Sequence, residues 1–223
     1  MTSGQFVSNC TADAMARAAQ SLKSGSLIAF PTETVYGLGA DATNQQAVGR
    51  IYEVKGRPAD HPLIVHVADM QDISQWSDDI PDYAIALARA FWPGPMTLIL
   101  GRSKIAKNFI TGGQDTVGLR VPAHLTALAL LKEFHKLGGS GIAAPSANRF
   151  GAVSPTNAEA VQSELGEFLD ESRDLIIDGG QSLVGVEATI IDCTGKFPRI
   201  LRPGLIGMEQ IHSTTNLPID RNN

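Results

Sequence analysis

Apolar residues recur along this chain at two spacings, and the switches between them mark out its elements. Over 11–25 (TADAMARAAQSLKSG), Ala14, Met15, Ala18, Ala19 and Leu22 fall at helical spacing and form one stripe. Thr11 stands where an N-cap hydroxyl is needed, and Gly25 where a helix ends. The stretch 44–56 (NQQAVGRIYEVKG) repeats the pattern with Val48, Ile51 and Tyr52 inward. Further helices are predicted over 81–92, which opens on a proline and is stopped by PGP, over 124–138 and over 156–169. Between them lie apolar runs of strand length: 26–30, 63–67, 96–100, 117–122, and 141–148, which breaks at Pro145. Three more, 175–180, 188–193 and 198–204, follow one another closely. Helices and strands alternate early and strands cluster late. That order predicts one α/β domain over 1–212, a twisted mixed sheet with flanking helices. The remaining 213–223 carry no such pattern and read as a loose C-terminal tail.

Composition narrows the picture. With 223 residues and 43% hydrophobic positions, the chain can bury a sizeable core. Lys plus Arg number 18 and Asp plus Glu 23, so the net charge of −5 gives no bulk attraction to nucleic acid. The two cysteines, Cys10 and Cys193, lie far apart, and the first ten residues lack a basic start and an apolar run. A reducing, cytoplasmic location is therefore expected. No stretch approaches the roughly 20 apolar residues of a membrane span. His61 and His66 would face opposite sides of a strand, so no protein metal site is expected. The phosphate loop GxxxxGK[ST], the dinucleotide fingerprint GxGxxG and the nucleophile elbow GxSxG are all absent.

What remains is a set of polar residues at strand and helix exits. FPTETVYGLG (30–39) leaves a predicted strand through Thr32 and Thr34, with glycines after them. Lys55 and Arg57 end a helix, and Ser146 and Asn148 follow a strand. Each pair is two residues apart, so in extended chain both members point to one cavity. Ligand sites of open α/β sheets lie at such strand ends. Taken singly, the threonines serve equally well as turn residues and PSAN (145–148) as a plain turn, while Lys55 and Arg57 alone read better as a solvated helix end. Arg120 (VGLRVP) and Arg202 (ILRPG) interrupt apolar runs, which points to paired or ligand-bound arginines. Basic groups on short loops of an acidic chain suggest an anionic ligand.

In order, FPTETVYGLG, KGRPADHPLIVHV, FWPGPMTLIL, VGLRVP, APSAN, SPT, GVEATIID and ILRPG resemble the YrdC-like family over about residues 10–210. Members are threonylcarbamoyl-AMP synthases, and the chain resembles their single-domain type. The resemblance implies a twisted α/β sheet bent around a large open cavity. It implies that L-threonine, bicarbonate and ATP, with Mg²⁺ carried on the ATP, give threonylcarbamoyl-adenylate and pyrophosphate. A partner complex then transfers the threonylcarbamoyl group to the tRNA adenosine beside the anticodon, and the chain itself is expected to bind tRNA weakly or not at all. By motif, Thr34, His66, Arg120 and Ala144 would hold threonine. Lys55 and Arg57 would act on the phosphates. His61, Thr116, Ala144, Ser146, Asn148, Ser154 and Arg202 would bind nucleotide. Two positions depart from the family pattern. His61 replaces an asparagine, and Ala188 stands where a serine contacts threonine. A paralogue acting on another small substrate, or an RNA-binding or ribosome-associated module, are the alternatives.

Overall fold

A computed structural model of the chain describes residues 6, 7 and 10–220. The strands are β1 (Phe6–Val7), β2 (Ile28–Phe30), β3 (Gly37–Asp41), β4 (Ile64–His66), β5 (Ser77–Asp79), β6 (Met96–Arg102), β7 (Thr116–Arg120), β8 (Ile142–Ala143), β9 (Leu175–Ile177), β10 (Thr189–Asp192) and β11 (Arg199–Arg202). The helices are α1 (Ala12–Lys23), α2 (Gln45–Lys55), α3 (Ile73–Trp76), α4 (Asp82–Phe91), α5 (Asn108–Thr111), α6 (Leu125–Lys136), α7 (Ala158–Leu165) and α8 (Met208–Thr215). The strands form one sheet in the order β1-β9-β2-β3-β8-β4-β7-β6-β10-β11, with β5 on the far half of β6. Its pairings are mixed: β4 with β7 is parallel, whereas β3 with β8 and β4 with β8 are antiparallel.

Alternation along β2 shows how the core is split. Ile28 and Phe30 join a cluster with the α1 stripe, Leu130 and Phe134. Leu27 and Ala29 point the other way, into the larger cluster with Val48, Ile51 and Leu98. The side-chain period of 2 thus divides one strand between two layers. The caps are where the sequence puts them. Thr11 accepts a hydrogen bond from the Ala14 amide at 3.2 Å, Asn44 does so for Ala47 at 3.1 Å, and Gly56 closes α2 in the left-handed region.

Two expectations change. Residues 37–41, not among the predicted strands, form a buried strand. A side chain at Gly39 would lie 2.7 Å from Ile142 and 2.8 Å from Phe30, so the glycine admits close packing between neighbouring strands. The second concerns the segment expected as a loose tail from 213. Helix α8 runs into it, packs on α4 and buries Ile211, and the Asp220 amide bonds the Pro198 carbonyl at 2.8 Å. Only one apolar position of that helix needs burial, which leaves little periodicity to read. Residues 221–223 of that segment lie outside the described residues.

Asp174 ties the far end of the sheet to α2. Fully buried, it accepts from the Leu27 and Asp170 amides at 2.8 Å each and forms a two-pronged ion pair with Arg50. Removing one member of such a pair leaves a poorly solvated charge. Asp174→Asn is expected to cost about 3 kcal/mol in urea unfolding. A cost below about 0.5 kcal/mol, the range of ordinary surface substitutions, would show that this junction is dispensable.

Candidate functional site

Where β3, β8, β4 and β7 run side by side, the sheet opens into a cavity of about 420 Å³. The turn after β2 supplies Thr32, Thr34 and Tyr36. Strands β4 and β7 supply His66, Thr116 and Arg120, and the break after β8 supplies Ala144 and Ser146. Arg57 enters from the end of α2, and Glu187, Ile190 and Arg202 come from the β10–β11 side.

The turn is built around Arg120. This residue sits in β7 directly beside His66 of β4 and is almost fully buried. Its guanidinium meets Glu33 at 2.5 Å and the Gly94 carbonyl at 3.2 Å, and both terminal nitrogens lie 3.2 Å from Thr34 Oγ1. Glu33 also accepts from the Ala123 amide at 3.0 Å. Thr34 therefore accepts from Arg120, and its proton goes to Thr32 Oγ1 at 2.9 Å. Thr32 in turn donates to the Val35 carbonyl at 2.7 Å. The chain of donors runs in one direction and holds the threonine pair rigidly against the cavity. His66 completes this half. Burial, reinforced by the Arg120 charge, pushes its pKa down to about 3, so the ring is neutral. Its Nδ1 is buried without a partner. A buried polar atom in a cavity wall is a ready contact for a polar ligand.

The other half carries looser cations. Arg57 Nη2 donates to the Pro62 carbonyl at 2.9 Å, its Nε has no partner, and the head group lies 5.9 Å from the Phe150 ring. No carboxylate lies within ion-pair distance of it among the described residues. Arg202 donates to the Ala188 carbonyl at 3.0 and 2.8 Å and approaches Glu187 at 3.4 Å. Ser154 donates to the other Glu187 oxygen at 2.7 Å. Glu187 is the only carboxylate among the residues lining the cavity. No group of three acidic, histidine or cysteine side chains able to hold a metal exists among the described residues.

Of the three pairs, only Thr32 and Thr34 both line the cavity, and the other two pairs are split. Gly56, at φ 62°, turns the chain between Lys55 and Arg57. Arg57 reaches the cavity, whereas Lys55 is buried beneath its wall and donates to the Ser146 and Asn148 carbonyls. Burial, and then Arg57, pull the Lys55 pKa down to about 8. Lys55 therefore does not face the phosphate space expected for it. Asn148 likewise stays out of the lining: its Nδ2 donates to the Arg149 and Ala152 carbonyls at 2.7 and 2.8 Å. His61 is also outside, packed edge-on against Phe150 with ring centroids 5.3 Å apart. Ser154 reaches the site only through Glu187. Ala188 is fully buried and contributes its carbonyl, not an empty side-chain position, while Glu187 and Ile190 line the cavity. The register of β10 shifts between Ile190 and Ile191, which defeats simple alternation there.

Sequence reasoning missed Glu187 and the role of Glu33. Both carried a signal: an acid inside a motif that also contains, or faces, an interrupting arginine.

The chain is similar to known proteins over most of its length. A family model for Sua5, YciO and YrdC proteins, described as telomere recombination, matches residues 20–204. The threonylcarbamoyl-AMP synthase of Pyrococcus abyssi is 48% identical over 194 residues, covering 87% of this chain and 55% of that protein. The chain thus spans about half the length of that relative. The crystal structure of P. abyssi Sua5 complexed with L-threonine superposes with a TM-score of 0.87 at 44% identity, covering 94% of this chain and 60% of that one. The crystal structure of E. coli YciO gives a TM-score of 0.80 at 25% identity, covering 95% of this chain and all of that one.

Two outcomes follow from the site. A histidine whose folded pKa lies below its unfolded 6.5 leaves the unfolded chain to take up the proton first, so this stability is present above pH 6.5 and lost as pH falls toward 3. Between pH 7 and 5 the parent should lose about 2 kcal/mol through His66, and His66→Gln should lose that much less, read by urea unfolding at each pH. Equal losses would mean that His66 does not titrate in this way. Second, Lys55→Met should lower the thermal midpoint by several degrees, because it leaves two carbonyls unpaired at about 1–3 kcal/mol each. Arg57→Ala should shift it by less than a degree. The reverse ranking would make Arg57 the structural member of the pair.

Proposed function

The chain belongs to the Sua5/YciO/YrdC family, and on that premise we propose that it is a threonylcarbamoyl-AMP synthase, joining L-threonine, bicarbonate and ATP into threonylcarbamoyl-adenylate with release of pyrophosphate. The observation that carries this reading is the division of the cavity into two chemically different halves. One half has a rigid hydroxyl pair, a neutral imidazole whose Nδ1 has no partner, and an arginine held by Glu33, Thr34 and Gly94. It suits a small amino acid, with its hydroxyl and amine read by neutral groups and its carboxylate near Arg120. The other half has Arg57 and Arg202 at the wall, cations for a polyphosphate.

The reaction needs no protein nucleophile. Threonine's amine attacks the carbon of bicarbonate, water leaves, and a carbamate forms. A carbamate oxygen attacks the α-phosphorus of ATP, and the bond to the β-phosphate breaks as pyrophosphate departs. Two anions must approach each other, so positioning and charge offset carry the catalysis. Arg57 and Arg202 supply that offset, Ser146 and Thr116 orient the nucleotide, and Lys55 acts from beneath by fixing the segment that bears Ser146. Mg²⁺ carried on the ATP would supply further neutralisation of its phosphates, and no residue of this chain is assigned to hold it. The product is passed on, in the cytoplasm, to a tRNA-modifying transferase, and with a net charge of −5 the chain binds tRNA weakly itself.

Mass-spectrometric analysis after incubation with ATP, threonine and bicarbonate tests the proposal. Threonylcarbamoyl-adenylate and pyrophosphate should appear together, and omission of threonine should abolish both. Pyrophosphate released equally without threonine, or an adduct of another amine, would point to a paralogue with a different substrate.

A further inference from the structure

The cavity proposed to admit a triphosphate holds a carboxylate. Glu187 lines it, accepts from Ser154 Oγ at 2.7 Å and lies 3.4 Å from Arg202 Nη2. A nucleotide reaching this half of the site meets a negative charge seated on the donors it would use. Resting on the reading above, we propose that Glu187 is an internal counter-anion, a built-in stand-in for phosphate that occupies Ser154 and Arg202 until the nucleotide displaces it.

Three observations support this role. The first is that burial disfavours the charged form of Arg202, and the Glu187 charge is the largest influence opposing it. An unliganded cavity needs such a partner, since Arg120 lies near enough to repel Arg202 further. The second is that the backbone leading to Glu187 is pinned. Ser182 N donates to the Thr156 carbonyl at 2.7 Å, Val184 N to the Glu33 carbonyl at 3.0 Å and Gly185 N to the Thr34 carbonyl at 3.1 Å. Displacement is therefore a rotation of one side chain that is about one-third exposed, not the opening of a loop. The third is that Arg57, on the same cavity, has no carboxylate partner among the described residues, so the incoming phosphates have a first foothold that Glu187 does not contest. Glu187 thus sets nucleotide affinity below what the bare cations would give, because only the displaced fraction is competent to bind.

Glu187→Gln keeps the shape and the acceptor for Ser154 and removes the charge. Calorimetric titration of the full chain with ATP should show binding about five-fold tighter than the parent, in EDTA and with Mg²⁺ alike, at unchanged threonine affinity. Glu187→Ala, tested beside it, should also bind ATP tighter, and thermal unfolding of both variants reports whether either has lost its fold. Unchanged affinity in both variants overturns the proposal. Weaker binding seen only with Mg²⁺ also overturns it, by making Glu187 a ligand to the metal on the nucleotide. A parent that binds neither ATP nor inorganic triphosphate overturns the proposed function and this role together, whereas a parent that binds ATP with no tightening in the variants overturns this role alone.

Discussion

The Lys55 amine sits where two pieces of main chain would otherwise be free to drift apart. It lies at the end of α2 and donates to two carbonyls of the segment that leaves β8. Burying an ammonium group is costly, and the lowered pKa reflects that cost. In return the end of a helix and the break of a strand are held in one register. Arg57 then leaves the helix in a set direction, and Ser146 faces the cavity across from Gly37. An exposed lysine at that position would leave both walls to thermal motion.

The three cavity arginines differ in how far their charge is already spent. Arg120 is held by Glu33, Thr34 and Gly94, and is part of the wall. Arg202 is shared between a carbonyl and a carboxylate. Arg57 keeps one nitrogen without a partner. This gradient gives the site a direction. The half around Thr32, Thr34 and His66 is pre-organised, and the half around Arg57 and Arg202 keeps cation charge in reserve. Pre-organisation on one side limits the ordering cost of binding, and the reserve on the other provides attraction at a distance.

Much of this architecture can be read from the chain, for identifiable reasons. Helices α1 and α2 announce themselves because stripe, N-cap and terminal glycine agree. Strand β3 does not, because its glycines look like a hinge until Phe30 and Ile142 are in place on either side. In the site, Thr32 and Thr34 both reach the cavity, but through a bend that Thr32 Oγ1 closes on Thr34 and Val35 rather than through extended chain. Lys55 and Asn148 do not follow a period of two, since Lys55 is still helical when Gly56 turns the chain toward Arg57, and a local turn redirects Asn148. The family resemblance assigns Lys55 and Asn148 to the ligand; in this structure Lys55 bonds two main-chain carbonyls and Asn148 Nδ2 two more, while Asn148 Oδ1 keeps no partner. A motif records which residues a site needs and is silent on whether they touch the ligand or hold up those that do.

The strap from Ser182 to Gly185 is joined to the site chiefly through main-chain atoms: its amides meet the carbonyls of Glu33, Thr34 and Thr156, and Ser182 Oγ adds one side-chain bond to the Thr32 carbonyl at 2.9 Å. Such a joint is invisible to most point mutations, because substitution changes side chains and leaves amides and carbonyls in place. Leu183, 90% exposed, sits in that strap without burying itself. Over generations the strap can therefore drift in sequence while its mechanical connection persists, and only proline, or a side chain forced on Gly185 at φ 65°, would sever it. Heritable variation should accumulate along 183, 184 and 186 and stop at the two ends of that link.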